Sequence, residues 1–159
     1  MSCHANRERA RTSTAQEASC ARVVLDTNVV LDWVAFGDPR VRAIVAAIGG
    51  GVLRPVTSTA CLEELRRALG YPEVKLDAAA QALALARYCA HATLFELAPC
   101  AGAANLPRCE DPDDQKFLEL AWHARALCLV TRDKALLKLA RRVALLGRFR
   151  VLAPHEFAT

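Results

Sequence analysis

The chain has 159 residues, 53% of them hydrophobic, which suits a single domain with a filled core. No apolar run reaches the ~20 residues of a membrane-spanning helix, and the seven cysteines are odd in number and irregular in spacing, so neither a membrane protein nor a disulfide framework is expected. The net charge of +4 is mild but uneven: between Arg132 and Arg150 lie Arg132, Lys134, Lys138, Arg141, Arg142, Arg148 and Arg150, against the single acid Asp133. Such a run is commonly a solvated helix face, but beside an acidic, cation-binding cluster it suits a phosphate backbone.

The first twenty residues are polar, with Arg7, Glu8, Arg9, Arg11 and Glu17, and lack the apolar segment of a signal peptide. Residues 1–21 read as a disordered leader, or as sequence upstream of the true start, and residues 22–159 as one domain of a cytoplasmic protein. Strands are predicted at Arg22–Asp26, Val52–Thr57, Thr93–Leu97, Leu127–Thr131 and Phe149–Leu152. Helical patterns fall between them at Pro39–Ile48, Thr59–Leu69, Asp77–Ala92, Asp113–Ala124 and Lys134–Leu145. Gly49-Gly50-Gly51, Gly70-Tyr71-Pro72 and Gly147 punctuate the boundaries. Strand and helix in alternation predict a parallel sheet covered by helices on both faces, with residues 99–107 as its one long loop.

Asp26 ends the first apolar strand, where an open parallel sheet carries its ligand site, although Asp26 or Asn28 would also serve to cap the next helix. In Cys61-Leu62-Glu63-Glu64-Leu65, helical spacing sets Cys61, Leu62, Leu65, Ala68 and Leu69 on one stripe. Glu63 lies opposite it and Glu64 at its edge, where a carboxylate costs desolvation unless something positive meets it. Asp111-Pro112-Asp113-Asp114 is how a helix begins: Asp111 as N-cap, Pro112 as first helical residue, acids in the first turn. That accounts for Asp111 and Asp113, but Asp114 has Phe117, Leu118 and Ala121 as its helical neighbours and points toward the sheet. Asp133 ends another apolar strand, Leu129-Val130-Thr131, and also suits the cap of the following helix.

Asp26, Glu64, Asp114 and Asp133 are thus each half-explained locally and share one region. Two carboxylates ~4 Å apart repel by about 4 kcal/mol at the effective dielectric of a protein surface, so a cluster of them calls for protons or a divalent cation. All-oxygen ligands select Mg²⁺ or Mn²⁺, and a metal-activated water attacking a phosphodiester is the chemistry they support. Cys89, His91, Cys100 and Cys109 would need a loop to gather them into a zinc site, and no C-x-x-C pair favours one; most of the cysteines read as small buried apolar residues.

Val24-Leu25-Asp26-Thr27-Asn28, Leu62-Glu63-Glu64-Leu65, Asp111-Pro112-Asp113-Asp114-Gln115-Lys116-Phe117-Leu118 and Leu129-Val130-Thr131-Arg132-Asp133-Lys134 together resemble the successive motifs of a PIN domain. In order and spacing they are closest to the branch of bacterial toxin–antitoxin toxins. The resemblance implies a three-layer α/β/α fold with a parallel sheet of about five strands, and Mg²⁺- or Mn²⁺-dependent cleavage of single-stranded RNA. It implies Asp26, Glu64, Asp114 and Asp133 as catalytic and metal-binding residues. Asn28, Asp111 and Thr131 stand around them, and Arg132 and Lys134 would meet nucleic acid. A cognate antitoxin and a homodimer are the partners it suggests, with no membrane. Many relatives carry a further acid after Asp114; here it is Gln115, which leaves a second metal open.

A response-regulator-type phosphoacceptor domain would want adjacent acids after its first strand and a lysine after its last. A haloacid-dehalogenase-type phosphatase would want Asp-x-Asp where this chain has Asp26-Thr27-Asn28. The closer rival is a PIN relative that processes or binds RNA without being a toxin, with weak or no nuclease activity.

Overall fold

The computed structural model describes residues 20–96 and 103–157. The leader up to residue 19, Leu97 at the end of the third predicted strand, and Cys100 lie outside these residues. Ala21, counted above with the leader, instead opens the first strand, its N–H donating to the carbonyl of Val52 at 3.0 Å.

Among the described residues five strands, β1 (Ala21–Leu25), β2 (Leu53–Thr57), β3 (Thr93–Leu94), β4 (Cys128–Val130) and β5 (Arg150–Leu152), form one parallel sheet in the order β3-β2-β1-β4-β5. Among the described residues seven α-helices accompany them: α1 (Thr27–Leu31), α2 (Arg42–Gly49), α3 (Thr59–Leu69), α4 (Ala78–Cys89), α5 (Gln115–His123), α6 (Lys134–Lys138) and α7 (Ala140–Ala144).

The centre of the sheet is buried on both faces, as parallel sheets are, while the edge strand β3 is exposed. On one face Val23 and Leu25 of β1 and Cys128 and Val130 of β4 pack with Val29 and Val30 of α1, Ile44 of α2, Leu65 and Leu69 of α3 and Tyr88 of α4. On the other, Val24 and Leu129 meet Phe117, Leu118 and Leu120 of α5, Leu136 of α6 and Val143 of α7. The period-2 alternation within Val23-Val24-Leu25 therefore feeds both cores at once. This is the three-layer α/β/α arrangement that the alternating pattern predicts.

Several elements differ in detail. Among the described residues the third strand is the pair Thr93–Leu94, which meets Val56 and Thr57 of β2. The helix foreseen from Asp113 begins with a 3-10 turn at Pro112–Asp114. The one foreseen over Lys134–Leu145 breaks at Leu139, whose N–H bonds back to Leu136, one residue short of helical spacing. Hydrophobic periodicity does not reveal such a break, since Leu136, Leu139 and Val143 all stay buried. After Leu31, α1 widens into a π-type turn over Asp32–Phe36, closed by Gly37 in the left-handed conformation at φ 60°.

The order β3-β2-β1-β4-β5 makes the chain build outward from β1 in one direction and then, through α5, in the other. The reversal falls between β1 and β4, so the carboxyl ends of these two strands flank the sheet's switch point, the usual place of a ligand crevice.

Candidate active site

β1 and β4 pair in register, Leu25 beside Val130, and the Asp26 N–H donates to the Val130 carbonyl at 3.0 Å. The next residue of each strand is therefore delivered to the switch point: Asp26 from β1 and Thr131 from β4. Asp26 is 3% exposed. Although it stands at the N-cap position of α1, its side chain makes no capping bond, and the backbone carbonyl serves Val29 and Val30 instead. Its Oδ2 accepts from the Thr131 hydroxyl at 2.7 Å. Burial pushes the Asp26 carboxyl above its ordinary pKa; the Thr131 hydrogen bond opposes this, and the charges of Glu64 and Asp133 add to it.

Thr131, fully buried, uses its hydroxyl twice, donating to Asp26 and accepting the Asp133 N–H at 2.9 Å. Asp133 in turn caps α6, with Oδ1 accepting from Ala135 at 2.7 Å and Leu136 at 3.0 Å. The capping role considered for it is thus real, and the same carboxylate acts electrostatically on Asp26 and Asp114.

Glu64 reaches the site from α3. As the stripe of Cys61, Leu65, Ala68 and Leu69 requires, Glu63 is exposed and Glu64 half-buried. Its Oε1 accepts from the Thr27 hydroxyl at 2.6 Å, and its Oε2 forms an ion pair with Lys116. Asp114 comes from the 3-10 turn before α5. Desolvation, then the charges of Asp26, Asp133, Asp111 and Glu64, push its carboxyl up to about 6. Asp111 is exposed and caps the same turn, accepting from the Asp113 N–H at 2.9 Å.

Asp26, Glu64, Asp114 and Asp133 are therefore brought within electrostatic reach of one another from four separate segments. Among the described residues, however, no three His, Cys, Asp or Glu side chains are already close enough together to chelate an ion. The donor set is chemically that of a hard divalent cation. Burial first, and then the neighbouring carboxylates, raise the pKa values of Asp26 and Asp114, and a cation, the Lys116 ammonium, already sits on Glu64. The residues fit Mg²⁺ or Mn²⁺, with the last distances left for the ion to close.

The other expected residues fall around this core. Asn28 is exposed. Gln115 faces the preceding loop, its Oε1 accepting from the Cys109 N–H at 2.8 Å. Lys134 is exposed. Arg132, just after β4, has its Nε 2.8 Å from Oδ2 of the buried Asp32; neither atom is aligned for a hydrogen bond, so the contact is an ion pair.

Sequence reasoning had assigned no role to Thr27, Lys116 or Asp32. Asp32 carried a signal: it is an acid interrupting the apolar run Val29-Val30-Leu31-Asp32-Trp33. Thr27 and Lys116 had none, since each is explained only by Glu64, which is distant in sequence.

A parallel three-layer α/β/α domain with acids at its switch point is the arrangement the PIN-like fold has. The family model described as the PIN domain matches residues 22–135, more than half of the chain, and the chain belongs to that family. PIN domains are typically nucleases, and the family generally uses divalent ions such as Mg²⁺ or Mn²⁺. No curated protein matches the chain closely enough to add to this. Among the described residues, no helix is long and apolar enough to cross a membrane.

Proposed function

We propose that the protein is an endoribonuclease that cleaves single-stranded RNA with Mg²⁺ or Mn²⁺, and that it acts as the toxin of a bacterial toxin–antitoxin pair. The observation that carries the nuclease reading is the gathering of acids from four segments at the switch point, where the charges of Glu64 and Asp133 act on the buried Asp26 and those of Asp26, Asp133 and Glu64 act on Asp114. The folded chain tolerates a repulsion that a divalent cation would relieve.

Asp26, Glu64, Asp114 and Asp133 would hold the ion. When bound, it supplies an activated water and neutralises charge on the phosphate. The protein's own part is positioning. Thr131 holds one oxygen of Asp26, Thr27 one oxygen of Glu64, and the α6 cap one oxygen of Asp133. Lys134 is exposed beside Asp133 and suits an RNA phosphate better than Arg132, whose Nε is paired with Asp32.

The toxin role rests on the order and spacing of the motifs. An antitoxin would cover the acidic rim, laying an amphipathic helix in a groove and presenting a basic side chain to the carboxylates. A homodimer is compatible with this reading.

The deciding experiment is cleavage of single-stranded RNA by pure protein with Mg²⁺, with Mn²⁺ and with a chelator, beside Asp26→Asn. Cleavage that persists in chelator, or in Asp26→Asn, overturns the nuclease assignment. Growth arrest on expression, relieved by the product of the neighbouring reading frame, would support the toxin role. Expression without arrest would favour RNA processing.

A further inference from the structure

Lys116 is the second residue of α5 and lies two positions after Asp114. Its side chain is only 18% exposed, which is low for a lysine. Its ammonium pairs with Oε2 of Glu64, donates to the backbone carbonyl of Asp113, and lies 5.0 Å from the centroid of the Phe117 ring. The Thr27 hydroxyl holds the other oxygen of Glu64. Of the acids at the switch point, Glu64 is the one whose carboxylate has both oxygens engaged, and among the described residues it is the one with a cation in contact.

A divalent ion bridging these acids needs an oxygen of Glu64. One oxygen of Glu64 is occupied by the ammonium and the other by the Thr27 hydroxyl, and among the described residues no three of the acids stand close enough to chelate. A partly exposed Lys–Glu pair is worth little, whereas a dication facing several crowded carboxylates relieves all of their repulsions at once. Exchange is therefore downhill once the ion is present.

We propose that Lys116 is an internal counter-ion that occupies Glu64 in the metal-free protein and is displaced by the divalent cation. This rests on the metal-dependent reading of the same site. Once released, the ammonium stays tethered at the rim by the Asp113 carbonyl and the Phe117 face. The pair thus offsets a small part of the cluster's repulsion without metal, and lowers the apparent metal affinity by the cost of displacing the lysine.

The test measures Mn²⁺ binding by calorimetry, without RNA, on the full chain and on Lys116→Met and Lys116→Arg. Removing a competing cation should tighten Mn²⁺ binding by about tenfold, within the usual range of coupling between two sites. Lys116→Met should also melt lower than the parent without metal and gain more on Mn²⁺ addition. Lys116→Arg, which keeps a cation, should stay near the parent in both.

A second measurement needs no variant: acetylation of Lys116, followed by mass spectrometry, should speed up when Mg²⁺ is added. Unchanged or weaker Mn²⁺ binding by Lys116→Met, or acetylation indifferent to Mg²⁺, would make the pair a permanent structural contact and overturn the inference, leaving the metal site intact. A parent protein that binds no Mn²⁺ would overturn both the inference and the metal-dependent reading.

Discussion

The Thr131 hydroxyl donates to Asp26 Oδ2 at 2.7 Å and accepts the Asp133 N–H at 2.9 Å, so one buried oxygen joins the ends of β1 and β4 and two of the acids at the switch point. Thr131→Val keeps the shape but removes both bonds. Leaving a buried carboxylate short of a donor costs roughly 1–3 kcal/mol. Denaturant melts should show that loss, accompanied by weaker Mn²⁺ binding, while Thr131→Ser should recover most of both. Full metal affinity in Thr131→Val would show that Asp26 needs no such orientation.

The two acids around Pro112 should separate cleanly. Asp111 caps the 3-10 turn, so Asp111→Ala should cost ~1 kcal/mol and keep its metal-induced rise in melting temperature. Asp114 is crowded by other carboxylates. Metal-free Asp114→Asn should therefore be no less stable than the parent, yet gain nothing from Mg²⁺. The reverse pattern would move the ligand role to Asp111.

Glu63 and Glu64 differ only in helical phase. Glu63→Gln should stay within ~0.5 kcal/mol of the parent, as exposed positions do, and keep its cleavage. Glu64→Gln should abolish cleavage. Equal effects would contradict the orientation of α3.

The raised carboxyl of Asp114 has a signed consequence. Its folded value of about 6 exceeds the ordinary 3.8, so between these values the folded protein binds more protons than the unfolded chain. Metal-free stability should therefore fall as pH rises from about 4 to about 6 and level off above. Asp114→Asn should flatten that part of the profile. Mg²⁺ should stabilise the parent most above pH 6, where protons no longer compete with it. A profile identical in parent and variant would remove Asp114 as its source.

Arg132 offers a contrast between stability and RNA binding. Arg132→Ala leaves the buried Asp32 without its cation, and burial has already raised the pKa of that carboxyl. The cost should be about 2 kcal/mol, below the ~3–5 of a fully buried pair because Arg132 is about one-third exposed. Lys134→Ala should scarcely alter stability but should weaken RNA binding and its salt dependence. If Arg132→Ala is as stable as the parent and loses RNA, Arg132 is a phosphate contact after all.

Much of this arrangement was legible in the chain itself. β-branched runs that end in acids located β1 and β4 and set Asp26 and the Thr131–Asp133 segment at strand ends. The 3.6-residue period separated Glu64 from Glu63, and Asp-Pro-Asp-Asp marked a helix start. All of these are local signals, written within a few residues by side-chain periodicity and capping chemistry. What only the tertiary structure decided are the pairings across sequence: Thr131 with Asp26, 105 positions apart, Thr27 with Glu64, 37 apart, Lys116 on Glu64, and Arg132 on Asp32 rather than facing outward. Their physical cause is the strand order. β4 returns beside β1 instead of extending the sheet beyond β3, and no local pattern encodes which strand a distant segment will lie against.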